Sequence, residues 1–438
     1  MTQLHGALGS SAARECSLGA VVPGQSSCYA RRCRLDMINL PRQTTFAGLE
    51  QFLRDIRQSP GQGLRLPMQV SHGGAFSFSA VAVQGIATWA RLHEGKRRIQ
   101  LTPNFADDAN TRTRTAGTLF AMSGLYFAHE VIAGDRVLSR TEALEAVAPR
   151  VFAMQDYRYQ DTLRGPSAAL CCFEGAKLEF LQSLYVIPRR GDPENTTIRS
   201  ASEFASILPR MLDACVAGAS SALTEAQTLS LAQLVHQLFK NADVHTASDA
   251  EGRLYDTGMR GIQVREVRIT DQATFDAFVS EDRALHAYLS KLGRRSLIRE
   301  RGERGLKSRL DAWPSTGFLE ITVFDTGPGL ALRWLARHKG ISRYSEVDRE
   351  EELQAVKACF QLHATTHTTA MKGDGLPIAL GAMKQLRAFM FLRTGRLALF
   401  QDFSSGEHSA FAPRHRYGPR HLAEAAGATY SICFPLLR

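Results

Sequence analysis

Asp325 ends an apolar run, TGFLEITVFD, and is followed at once by Thr326-Gly327-Pro328-Gly329. A carboxylate at the rim of a sheet can accept hydrogen bonds from a ligand, and the glycines beside it let backbone approach where a β-carbon would block it. Taken alone, the same pattern also fits a plain surface turn in which Asp325 caps the backbone. A second group, Gln237, Asn241 and His245, recurs every fourth residue, so three polar side chains share one helical stripe. A third, Gly373-Asp374-Gly375-Leu376, sets two glycines before an apolar-periodic stretch and so offers the open N–H groups of a helix start to a phosphate.

Each group needs an element to hold it. Phe318, Ile321, Val323 and Phe324 predict a buried strand that delivers Asp325. Leu231, Leu234, Leu238 and Ala242 predict a helix whose other stripe carries the three polar residues. A helix over Leu376 to Leu386 leads into FMFLRTGRLALF, two short strands with Thr394-Gly395 as their hairpin turn. Tyr430 to Leu436 closes the sheet, and Gly261 to Ile269 alternates as a strand expected to pair with Phe318 to Phe324.

In this order the motifs resemble the ATP-binding domain shared by gyrase B, the heat-shock chaperone of that group, histidine kinases and MutL, the GHKL superfamily. That family has an Asn-bearing helix, then D-x-G-x-G, then a lid, then G-x-G-[LI] opening a helix. The matching residues are Asn241-Ala242 with His245, Asp325 to Gly329, the segment 331 to 372, and Gly373 to Leu376. GATYSICFPLL is similar to the last strand of histidine-kinase catalytic domains. The resemblance covers roughly the last half of the chain and implies a Bergerat-fold α/β sandwich over 201–438, with ATP and Mg²⁺ as cofactors.

It further implies that Asp325 accepts the adenine amino group, that the Asn241 oxygen coordinates Mg²⁺, and that Gly327, Gly329, Gly373, Gly375 and Leu376 shape the nucleotide and phosphate contacts. Lys240, His245, Thr368, Thr369 and Lys372 are candidates for phosphate contact. One position departs from the hydrolytic branches. Where gyrase B, MutL and the chaperone carry a general-base Glu, four residues before the Asn, this chain has Gln237, which cannot take a proton. ATP binding is therefore the expectation, and hydrolysis by the familiar route is not. Histidine kinases often carry a neutral residue there, but no H-E-x-R-x-P-like acceptor helix lies upstream. Three readings follow: a nucleotide-controlled regulator of a protein partner, a kinase acting on Ser, Thr or His of a partner, and a slow ATPase clamp that forms a homodimer on ATP.

The first half differs in pattern. Residues 1 to 36 are rich in Gly, Ser, Ala and Arg without an apolar period and are expected to be disordered. Residues 37 to 150 begin with an amphipathic helix at Phe46. They continue as strand LRLPMQV, a helix over about Ser79 to His93, strand RRIQLTP and a helix over about Thr113 to Phe127. This stretch resembles a STAS domain, which implies a smaller α/β domain in which Ser77 or Ser79 can be a phosphoacceptor; the plainer reading is a helix cap. Residues 151 to 200 read as a connection, and Pro209 is expected to kink or split the helix over 201 to 217.

The chain has 438 residues, formal charge +10 and pI about 9.3, with 44% hydrophobic residues, enough for two ordinary cores. A basic run between Arg294 and Arg309 lies in an insertion over 271 to 310 and reads as a solvated face or a docking surface for an acidic partner. Nucleic acid is not the expected partner, because no aromatic-interleaved basic motif or helix-turn-helix pattern is present. The eight cysteines form no C-x-x-C pair, which argues against zinc and a disulfide framework. No apolar run reaches the ~18 residues of a membrane span, and the start lacks a signal-peptide core, so a cytoplasmic protein is expected.

Overall fold

A computed structural model describes residues 36–43, 45–70, 75–187, 196–269, 271–301, 316–361, 375–405, 410–418 and 422–436. The expected disordered segment 1 to 36 lies almost wholly outside the described residues, as does the basic run beyond Arg301. From Met37 onward the chain forms one compact unit of mixed α/β structure with two main sheets.

The first sheet takes β1 (Met37–Asn39), β2 (Gly63–Arg65), β3 (Arg98–Leu101), β4 (Glu130–Ala133) and β5 (Arg136–Ser139) in that order. The first four are parallel, and β5 turns back antiparallel. Their crossovers are helical: α1 (Phe46–Gln58), α2 (Phe78–Leu92), then α3 (Ala109–Ala116) and α4 (Leu119–Phe127). The single helix expected over Thr113 to Phe127 is thus two. Gly117 ends α3 and Thr118 starts α4 in extended backbone, because glycine is a poor helix interior and a good terminus. All nine residues of α4 and nearly all of α2 are buried, as befits helices lying between layers.

Next come α5 (Arg140–Gln155), β6 (Ser167–Phe173), the small pair β7 (Tyr185–Val186) and β8 (Thr197–Ile198), α6 (Ala201–Cys215) and α7 (Glu225–Thr246). Helix α6 runs unbroken through Pro209; a capping box of Ser200 and Glu203 fixes its start. The chain continues through β9 (Met259–Ile269), α8 (Gln272–Val279), α9 (Arg283–Arg301) and β10 (Thr316–Asp325). After α10 (Leu330–Lys339), α11 (Arg349–Cys359) and α12 (Gly375–Gln385) it ends with β11 (Phe389–Gly395), β12 (Leu397–Asp402), β13 (Arg414–His415) and β14 (Ala425–Leu436).

The second sheet is antiparallel throughout, in the order β13-β12-β11-β14-β10-β9-β6. The expected pairing of Gly261–Ile269 with Phe318–Phe324 is present, with Ile321 opposite Val264. Strand β6, from the stretch expected only to connect, is an edge of this sheet.

Alternation along β14 shows how the layers stack. Tyr430 faces α7, whose Asn241 amide donates to its hydroxyl at 3.2 Å, while the next residue, Ser431, faces α2 and donates to Ser77 Oγ at 2.7 Å. The sheet is therefore covered on one face by α6, α7 and α12 and on the other by α2. The α2 side is unusually polar for a core. Arg393 is fully buried against Glu50 at 2.8 Å, Arg265 pairs with Glu320, and the Gln84 amide donates to the carbonyls of Arg393 and Ala426 at 3.1 and 3.0 Å. Such contacts fix register between layers, since a slip would leave buried charges unpaired.

Candidate functional site

The apolar stripe of α7 does what its spacing requires. Leu231, Leu234, Leu238 and Ala242 are all buried to 0% exposure, so the stripe carrying Gln237, Asn241 and His245 is held half-buried on the helix that covers one face of the sheet. Lys240 points outward and is exposed. At the C-terminal end of β10 lies Asp325, 2% exposed, with Oδ1 accepting from the Gly327 N–H at 2.8 Å.

The turn after Asp325 is pressed between α7 and β14. A β-carbon on Gly327 would collide with the His245 carbonyl, and one on Gly427, which has φ +70, would collide with the Asp325 carbonyl. Gly427 also donates its N–H to the Gly327 carbonyl at 2.6 Å. Glycine at these two positions is thus a requirement of close approach. Thr326 Oγ1 accepts from Met259 N–H at 2.8 Å, and Gly329 caps the start of α10.

Burial pushes the Asp325 carboxyl up to about 7, opposed by the Gly327 and Ala428 N–H groups and by the positive charges of Arg91 and Arg333. Asp325 makes no ion pair among the described residues, although two arginines are near. Arg333 is taken up by His245 Nδ1 at 3.2 Å, Ser248 Oγ at 3.2 Å and the Asp249 carbonyl at 2.7 Å. Arg91 donates to the Gly327 carbonyl at 2.9 Å and to the Thr326 carbonyl, and it lies 3.7 Å from the centre of the Tyr255 ring. The carboxylate is thus oriented by backbone alone, which leaves acceptor capacity for a ligand amine.

Asn241 fits a cation ligand. Its Nδ2 is committed to Tyr430, and among the described residues no donor reaches Oδ1, a hard oxygen of the kind Mg²⁺ takes together with phosphate oxygens and water. Among the described residues no group of three or more His, Cys, Asp or Glu side chains is placed to hold a metal.

Asn241, His245, Asp325, Gly327 and Gly329 are therefore brought to one end of the second sheet. Gly375 opens α12, and Leu376 is buried where α12 packs on α7. Thr368, Thr369, Lys372 and Gly373 lie outside the described residues. The described part of the segment expected to be a lid, 331–361, holds α10 and α11, which pack on each other. Arg91, Tyr255 and Arg333 were not singled out by motif, and Tyr430 entered only as part of the closing strand; none carries a sequence signal beyond being aromatic or basic.

The two serines proposed as phosphoacceptors part company. Ser77 stands before α2 at φ 69 but makes no capping bond. It is buried, its N–H donates to Glu320 at 2.8 Å, and its Oγ accepts from Ser431, so it is neither a cap nor accessible. Half-buried Ser79 lines a cavity of about 580 Å³ shared with Thr118, Arg164, Gln263 and Phe278, apart from the Asp325 turn. The described cysteines are free, and four of the five, Cys171, Cys172, Cys215 and Cys433, are buried as small core residues. Among the described residues no helix is long and apolar enough to cross a membrane. No family model, no curated protein and no solved structure matches this chain.

Proposed function

We propose that the protein binds ATP with Mg²⁺ at the Asp325 end of the seven-stranded sheet, and that occupancy controls contacts with a protein partner through the segment 331 to 372. One observation carries the reading: a buried, backbone-oriented carboxylate, an Asn oxygen that takes no donor among the described residues and a close-packed glycine turn converge from α7 and β10. This is what the GHKL resemblance asks of those residues. The carboxylate suits an exocyclic amine and discriminates against a carbonyl at the same position, which would leave two acceptors facing each other. Gln237, half-buried on the same stripe, supplies no general base, which favours a binding switch over an ATPase clamp.

Calorimetric titration of ATP and ADP with Mg²⁺ into the wild type and Asp325→Asn tests it. The expected result is saturable binding that weakens at least ~100-fold in the variant, because an amide presents a donor beside the adenine amine. Wild-type protein that takes up neither nucleotide at micromolar to millimolar concentration would sink the reading. Incubation with γ-labelled ATP then separates a switch, which leaves the label on ATP, from a kinase, which moves it to protein.

A further inference from the structure

We propose that Arg91 is the positioning residue of the Asp325 turn, so that the site on the second sheet is held in shape by a side chain from the helix layer behind it. For its binding test only, this rests on the ATP-binding reading above.

Arg91 lies in the last turn of α2, on the sheet face opposite α7. Its two terminal nitrogens reach the carbonyls of consecutive residues, Thr326 and Gly327, while its plane lies against the Tyr255 ring. A planar fork that bonds two successive carbonyls fixes the peptide between them, which a single-point cation does not. That peptide carries the Gly327 N–H that orients Asp325. Rotating it would break both links together. The Gly327 carbonyl receives Arg91 from one side and the Gly427 N–H from the other, so the turn is clamped between α2 and the start of β14.

The contact is a committed one. The side chain is half-buried, loss of solvent lowers its pKa, and its buried Nε has no partner among the described residues. The other groups facing Asp325 are Arg333 from α10, Tyr255 from the loop after α7 and Tyr430 from β14, with His245 of α7 and Asp249 beside Arg333. Of these, Arg91 is the cation bonded to the turn itself.

The test compares the full chain with Arg91→Gln, Arg91→Lys and, as a control, Arg57→Gln. Arg57 also spans the layers, pairing with Glu424 at 2.8 Å, but does not touch the turn. Amide hydrogen exchange of the peptides containing Gly327 and Gly427 needs no nucleotide. It should quicken about tenfold or more in Arg91→Gln, remain quick in Arg91→Lys, where the fork is gone, and stay unchanged in Arg57→Gln. ATP titration across roughly pH 5.5 to 8.5 should show the affinity midpoint about one unit higher in Arg91→Gln, where the carboxylate loses a nearby positive charge. Arg91→Lys, which keeps the charge, should retain the wild-type midpoint.

Unchanged exchange in Arg91→Gln, or equal quickening in Arg57→Gln, overturns the proposal. If Arg91→Gln does not fold, the exchange of Arg91→Lys decides, and wild-type protection there overturns it. Absence of ATP binding by the wild type would remove the nucleotide reading and leave the exchange result standing.

Discussion

Two acids, buried Asp325 and half-buried Glu174, are both pushed up to about 7 by loss of solvent, yet their surroundings differ in kind. Glu174 belongs to a closed cluster. Arg260, 1% exposed, pairs with Glu174 and with Asp243 at 2.7 Å, and also donates to the Tyr185 hydroxyl at 2.9 Å. Three carboxylates, Glu174, Glu179 and Asp243, share that one cation. Around Asp325 no arginine reaches ion-pair distance among the described residues; Arg91 and Arg333 bond to carbonyls and to His245, leaving the carboxylate to backbone N–H groups. The difference separates an acid that holds the fold together from one that is held ready by it. A carboxylate kept without an ion pair in a protein able to supply arginine is the better candidate for meeting a ligand.

The largest effect should come from opening the closed cluster. Arg260→Met leaves half-buried Glu174 and Asp243 without their buried cation and should destabilise the chain by about 2–4 kcal/mol in urea unfolding. A loss under about 1 kcal/mol would mean that the cluster is wetter than its burial indicates, and the contrast with Asp325 would weaken.

Asp325 should behave in the opposite sense. Its folded pKa is raised above the ordinary carboxyl value, so between about pH 4 and 7 the folded chain holds a proton that the unfolded chain has lost. Stability from this group is present at low pH and falls as pH rises through that window. Asp325→Asn does not titrate. The variant should match the wild type near pH 4 and exceed it increasingly up to about pH 7, by at most ~4 kcal/mol, then hold that margin. Glu174 titrates in both proteins, so the difference between their pH profiles isolates Asp325. A constant difference at all pH values would show that Asp325 is not buried as described.

The α7 stripe was legible because burial of Leu231, Leu234, Leu238 and Ala242 and the half-burial of Asn241 are both consequences of one helical period. Strand β10 was legible for a related reason: its near-continuous apolar run is buried from Phe318 to Phe324 and ends at Asp325. Arg91 was not legible, since its partners Thr326 and Gly327 lie 235 and 236 residues away and nothing in the local pattern of α2 marks one arginine as special. Ser77 misled for the related reason that a serine before a helix is ordinarily a cap, whereas here a layer contact with Ser431 and Glu320 takes both its polar groups. The break between α3 and α4 falls at Gly117, between polar ANTRTRTA and apolar LFAMSGLYF, and the single helix expected there ran across it. Local periods thus forecast which face is buried, and long-range polar contacts decide what that face holds.

The smallest effect concerns how Arg91 and Arg260 are seated. Arg91 lies 3.7 Å from the Tyr255 ring centre, whereas Arg260 lies 5.6 Å from Phe180 and 5.7 Å from Tyr185. Cation–π attraction falls with distance, and Arg260 already has carboxylates, so the ring should matter more to Arg91. Because Tyr255→Leu also loses packing, a double-mutant cycle with Arg91→Gln is needed to isolate the pair. Its coupling energy from urea unfolding should be about 1 kcal/mol. The matching cycle of Phe180→Leu with Arg260→Met should give roughly half of that or less. If the second coupling equals or exceeds the first, the ring is a general wall of the core and Tyr255 has no particular part in seating the arginine that grips the Asp325 turn.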